Sequence, residues 1–262
     1  MKYEKEEITK SYYENPNFNF LSRGEAAAIV ISGENYKKFT QNFCHPFDEI
    51  FTSAMQKTLV NLCQRIPTCI VGYTSEFDLA IFFDSPERYE ETSWYNYDTA
   101  KIATLASSIA TFEFNRFFEK LAKSYVMSGN NFDETRKLTA MQGYVSAIDN
   151  GAFFTAKCFN IKRVKISEYL KLFQRQTTDD SVHEIGLSYF DEAELTGKTT
   201  AEIQLMIYDK AKVQLDDFAT CFTRGSFCVK TDPNDADETA VLEPWIIKDD
   251  FPYEISENRP EI

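Results

Sequence analysis

Apolar residues along the chain fall into short unbroken runs and into helical stripes, and the two patterns predict different elements. Residues 1–22 are polar and aromatic and predict an irregular arm. Residues 26–32, Ala-Ala-Ala-Ile-Val-Ile-Ser, form a continuous apolar run of strand length that Gly33 ends, which predicts a buried strand. Pro46 then opens a helical stripe carrying Phe51, Met55, Leu59 and Leu62. A proline costs little in a first turn, because its missing N–H has no partner there. Residues 69–83 predict two strands joined by a tight turn near Thr74–Phe77, and their unbroken apolar character places this hairpin inside a sheet. A long helix is predicted over about 98–125, with Ile102, Leu105, Ile109 and Phe112 on one face.

Beyond it, the Gly-, Asn- and Asp-containing stretch 127–151 predicts an excursion from the main body. A strand is expected at 156–161, and helical periodicity returns at 165–186 and 199–215. Short strands at 217–222 and 226–230 would flank a hairpin turn at Arg224-Gly225. No internal repeat is visible. The order of strand, helix, hairpin, helix and strand predicts an α+β fold, a sheet with helices on one face, over residues 1–230. Residues 231–262 change character. Between 229 and 262 there are ten acidic and three basic side chains and four prolines, which predicts a solvated acidic C-terminal tail. Its stretch 240–247, Ala-Val-Leu-Glu-Pro-Trp-Ile-Ile, is apolar enough to dock on the body.

Composition narrows the function. At 43% hydrophobic and 15% aromatic residues, the 262-residue chain has ample material for a core, so a disordered chain is excluded. No apolar run approaches the roughly 20 residues of a membrane span, and a cytoplasmic location is expected. The net charge of −13 opposes binding to a phosphate backbone unless basic residues are locally concentrated. Six cysteines lack any C-x-x-C pair and only His45 and His183 could join them, which argues for buried thiols over structural zinc. G-x-S-x-G, G-x-G-x-x-G and Walker motifs are absent.

Seven segments, in order, resemble the tRNA-histidine guanylyltransferase family, the reverse (3′ to 5′) polymerases. Residues 31–39 (ISGENYKKF) resemble its I-D-G-x-x-[FY]-x-x-F segment, and 45–55 (HPFDEIFTSAM) its P-x-D-E segment. Residues 72–83 (GYTSEFDLAIFF) resemble its G-Y-x-Q-S-D-E hairpin, and 100–115 (AKIATLASSIATFEFN) its K-L-x-S-x-x-A-S-x-A-T-x-x-F-N helix. Residues 152–161 (AFFTAKCFNI) resemble F-D-A-R-x-F-N-[IL], 194–207 (ELTGKTTAEIQLMI) resemble E-L-x-G-K-[ST]-x-x-E-x-[QM]-x-M-L, and 223–227 (TRGSF) its K-R-G turn.

The resemblance implies a polymerase-palm-like, ferredoxin-like antiparallel sheet backed by helices, its core at about 25–161, followed by a helical C-terminal half. It also implies a homo-oligomer, with GTP and Mg²⁺ as cofactors if the chain is active. In the family two carboxylates, one in I-D-G and one in S-D-E, hold two Mg²⁺ ions for in-line phosphoryl transfer. Here Ser32 stands at the first position, and the ungapped hairpin register puts Phe77 at the second, with Asp78 next to it. A carboxylate about 2.1 Å from Mg²⁺ gains at most roughly 15 kcal/mol of Coulomb energy before desolvation. A serine hydroxyl supplies only a dipole and a phenyl ring no ligand.

Other positions divide. Gly33, Glu34 and Asn35 follow the first strand, and Lys101 matches a phosphate-contacting lysine; these four are the expected nucleotide-binding residues. F-D-A-R has become Phe154-Thr155-Ala156-Lys157, and of W-R-Q-x-D-A-x-x-N-S only Gln174 and Ser181 survive. Asp48 and Glu49 are expected as first-turn acids favoured by the helix dipole. Trp94 and Tyr95 are expected to pack, or to stack bases. Basic residues Lys157, Lys162, Arg163, Lys165, Lys171 and Arg175 form a solvated face or a nucleotide or RNA contact strip. The expectation is a catalytically degenerate relative, without cofactor, that binds a nucleotide, an RNA or a protein. The alternative is an active 3′–5′ nucleotidyltransferase that adds GTP-derived nucleotides to the 5′ end of tRNA with relocated metal carboxylates at Glu34, Glu76 and Asp78.

Overall fold

The computed structural model describes residues 20–85, 94–127, 134–231 and 245–249. Residues 1–19 of the predicted arm, and 232–244 and 250–262 of the predicted tail, lie outside them. Six strands form one antiparallel sheet: β1 (Ala26–Gly33), β2 (Cys69–Ser75), β3 (Asp78–Asp84), β4 (Phe154–Ile161), β5 (Ser226–Lys230) and β6 (Trp245–Lys248). Their spatial order is β4-β1-β3-β2-β5-β6. Continuous apolar runs became the central strands because both faces of the sheet are buried. Along β1 and β3, Ile29, Ile31, Leu79, Ile81 and Phe83 face one core, while Ala28, Val30, Ala80 and Phe82 face another.

Five longer helices are described. α1 (Glu49–Arg65), α2 (Thr99–Met127) and α3 (Glu134–Asn150) pack on the first face, whose core holds Met55, Leu59, Phe114, Phe118 and Tyr144. α4 (Ile166–Leu187) covers the second face with Tyr169, Leu170 and Phe173, which corrects the expectation of helices on one face only. Its last turns run on to pack Val182 and Ile185 against Ile203 and Ile207 of α5 (Thr200–Ala211). α5 is started by a capping box in which Thr199 and Glu202 exchange bonds, so the T-x-x-E inside the family-like segment is also a helix-start signal.

Several expectations are overturned. Of the excursion expected at 127–151, the described residues 134–150 are a helix packed on the main core, and its polar composition reflects the one-sided burial of Ala140, Tyr144 and Ala147. Residues 217–222 do not form a strand; Thr220–Thr223 is a single helical turn. The buried face of α2 is rotated from the predicted one. Ala106 and Ala110 touch the core because small residues admit close approach, while Phe112 is 66% exposed. Within the acidic segment, the part of the apolar stretch 240–247 that is described does dock, as expected: β6 pairs with β5 at Cys228↔Ile247 and buries Trp245, so residues 245–248 are no solvated tail.

Candidate functional site

β1 ends where the β2–β3 hairpin turns, and this junction gathers the residues singled out by the sequence. Ser32 stands directly across from Asp78, and the N–H of Gly33 donates to the carbonyl of Phe77 at 2.8 Å. The turn is tight: Ser75 pairs with Asp78, and Glu76 adopts a left-handed backbone with φ of 43°. Phe77 then points inward. Its ring lies 4.9–5.8 Å, centroid to centroid, from those of Phe154, Phe51, Phe39, Phe114 and Tyr36, and the residue is 4% exposed. Against Gly33 the ring is so close that an added Cβ would lie 2.3 Å from it. Glycine is needed here for that approach, and the space beside the end of β1 is filled by hydrocarbon.

The remaining predicted residues separate. Glu34 is exposed and accepts a hydrogen bond from the Thr155 hydroxyl at 3.1 Å. Asn35 is left-handed, with φ of 58°, and its carbonyl starts the single turn Tyr36–Phe39. Lys101 is not at this end of the sheet. It lies thirteen residues before Phe114 on α2, about 20 Å of helix rise, with its ammonium over the Tyr95 ring. Within one chain Lys101 thus stands apart from Gly33, Glu34 and Asn35. The basic strip is partly neutralised: Arg163 pairs with Asp84, and Lys165 with Glu168 at 2.7 Å.

These donors do not suit a pair of Mg²⁺ ions, which demand anionic oxygens held in near-octahedral order. Ser32 offers a hydroxyl, Phe77 a ring, and Asp78 a single carboxylate. Among the described residues no three His, Cys, Asp or Glu side chains are grouped to hold a metal ion.

Next to the Phe77 rings lies a cavity of about 310 Å³, which sequence reasoning missed. Tyr36, the loop 40–48, the hairpin residues Thr74–Glu76, Glu184 of α4 and Phe222 line it. Asp48, buried in its wall, is the N-cap of α1 rather than a first-turn acid, a place that Glu49 takes, and it accepts from the N–H of Phe51 at 2.9 Å. It also accepts from the N–H of Cys44 at 3.1 Å and from the Tyr144 hydroxyl at 2.7 Å. Burial raises the Tyr36 pKa well above the ordinary tyrosine value, and the charges of Glu76, Glu184, Asp48 and Asp180 raise it further. The signal for this cavity is spread over distant parts of the chain, which is why no local motif shows it.

A family model described as tRNAHis guanylyltransferase matches residues 7–161, more than half of the chain. Among solved structures, a bacterial tRNAHis guanylyltransferase-like protein in complex with ATP is similar with a TM-score of 0.69 and 16% identity, covering 96% of this chain and 92% of that one. The same kind of bacterial protein in complex with GTP gives a TM-score of 0.66 at 16% identity, with the same coverage. A tRNAHis guanylyltransferase from Saccharomyces cerevisiae gives 0.63 at 14% identity, covering 94% of this chain and 99% of that one. No curated protein matches the chain. At these identities the structural likeness speaks for the fold alone.

Proposed function

We propose that this chain, which belongs to the tRNAHis guanylyltransferase family, is a catalytically degenerate member that works by binding. The reading is supported by Phe77, which the ungapped register sets at the family's hairpin carboxylate position and whose ring is buried among five other rings and pressed on Gly33. Ser32 removes the second anion. Replacing one ligand weakens a metal site; filling its place with packed aromatic carbon makes the same space part of the core.

The partner proposed is a protein. A net charge of −13 repels nucleic acid, and the family-like lysine Lys101 is spatially separated from the β1 end. Among the described residues no helix is long and apolar enough to cross a membrane. Self-association, implied by the family resemblance, is part of the proposal and is read by light scattering on the purified chain.

The test is incubation of the full chain with labelled GTP and a 5′-triphosphate RNA across divalent metals and pH, alongside calorimetry with GTP and Mg²⁺. The expected result is no labelled product and no Mg²⁺-dependent heat. Labelled product that disappears in Glu76→Gln or Asp78→Asn would instead establish the relocated-carboxylate enzyme and overturn this reading.

A further inference from the structure

The cavity beside the Phe77 cluster combines aromatic walls with negative charge. Phe47 and Phe222 stack face to face, with centroids 5.0 Å apart and planes 5° from parallel, and Tyr36 contributes another ring. Into the same space come Asp48, Glu76 and Glu184, against the single lysine Lys37 in the lining. The Tyr36 hydroxyl feels all three of these carboxylates and Asp180 behind them. Asp48 accepts from Phe51, Cys44 and Tyr144, and Glu76, from the hairpin turn, and Glu184, from α4, add two further carboxylates to the lining.

Three ligand classes can be compared on these facts. A triphosphate brings negative charge into an already negative enclosure, with no arginine in the lining to offset it. A bare divalent cation finds no grouped set of three ligands among the described residues. A planar organic cation suits both features, since it stacks on aromatic faces and donates paired N–H bonds to carboxylates. The cavity is large enough for such a headgroup with part of its alkyl stem.

We propose that this cavity receives the guanidinium of an arginine side chain presented by a protein partner, with Glu76 and Glu184 as its anionic contacts and Tyr36, Phe47 and Phe222 as its apolar walls. The proposal rests on the binding-protein reading and names the chemistry its partner must carry. With Phe77 turned into the core, Glu76 lies on the cavity side of the hairpin turn.

The experiment titrates the full chain with four probes, followed by calorimetry: the peptide acetyl-Gly-Arg-Gly-amide, its citrulline counterpart, agmatine, and GTP without metal. Citrulline keeps the shape of arginine and removes the charge. The expected result is that the arginine peptide binds and the citrulline peptide binds about tenfold or more weakly, the loss expected for a charge-assisted pair. Glu76→Gln with Glu184→Gln, checked for an unchanged circular dichroism spectrum, should weaken the arginine peptide to a similar extent. The arginine-to-citrulline comparison needs no variant and stands if the double variant misfolds. Equal binding of the two peptides, no binding of either at millimolar concentration, or displacement of the arginine peptide by GTP would overturn the proposal. Agmatine binding more tightly than the peptide would overturn the protein source in favour of a free small cation. These failures leave the non-catalytic reading standing, whereas labelled product in the RNA assay defeats that reading directly.

Discussion

Replacing Phe77 by aspartate would restore a carboxylate at the family's hairpin position, and the structure sets what the change costs. Phe77 is 4% exposed, and its nearest ring partners, Phe154 and Phe51, lie at 4.9 and 5.3 Å. Removing such a ring costs about 3–5 kcal/mol through lost transfer energy and the cavity left behind. A carboxyl group placed among rings adds a desolvation penalty of at least about 1–3 kcal/mol, even if it takes up a proton. The sum, about 4–8 kcal/mol, consumes much of the roughly 5–15 kcal/mol by which a folded domain is stable. Urea unfolding followed by far-UV circular dichroism is the assay. With a slope of about 3 kcal/mol per molar urea, the midpoint should fall by more than about 1 M. Phe77→Leu, which keeps most of the volume, should fall by less than half as much. A Phe77→Asp protein whose midpoint stays within about 0.3 M of the parent would refute the claim that this ring holds the core, and with it the argument that the site has become structural.

Three further outcomes follow from the same geometry. Gly33→Ala places a Cβ 2.3 Å from the Phe77 ring, so it should destabilise by about 1–3 kcal/mol, and most of that cost should vanish in a Phe77→Ala background; an additive double-mutant cycle would disprove the contact. Asp48→Ala leaves the N–H groups of Phe51 and Cys44 and the Tyr144 hydroxyl without their acceptor, so the loss should reach about 3–4 kcal/mol, whereas Tyr144→Phe should cost about 1 kcal/mol; calorimetric melting compares the two. Burial, with Asp48 beside Tyr144 and the surrounding carboxylates beside Tyr36, holds the hydroxyls of Tyr36, Tyr73 and Tyr144 above the ordinary tyrosine pKa near 10. A raised folded pKa means that stability is full below the unfolded value and is lost as pH rises past it, so unfolding should set in above about pH 10 with a cooperative rise in tyrosinate absorbance. Smooth titration of all 14 tyrosines near pH 10 with the far-UV spectrum intact would contradict this.

Much of the central sheet was legible because its signals are local. The run Ala26–Ser32 and the hairpin at 69–83 carry their own length and turn signals, and the structure keeps them, whereas the helix expected to open at Pro46 starts only after the Asp48 cap. The site was half legible. The hairpin register brought Ser32, Phe77 and Asp78 to one junction, since a one-residue slip would turn Leu79–Phe83 inside out. The distance of Lys101 from the end of β1 was not legible, because motif order says which segments are present but not how far along a helix a side chain lies from a strand end. The helix Glu134–Asn150 was missed because its stabilising face is narrow, and polar residues cover the rest.

By itself, then, the sequence determined what local chemistry can enforce: the central strand, its hairpin, the stripes of the main helices, and, in the ungapped register, a serine and a phenylalanine where the family it resembles has carboxylates. Only the tertiary structure decided that Phe77 turns into an aromatic core, that β6 closes on β5, and that carboxylates from the hairpin and from α4 meet aromatic rings around one cavity. Those outcomes depend on contacts between residues far apart in the chain. Such contacts are selected by the fit of whole packed surfaces, and no short stretch of sequence carries that information.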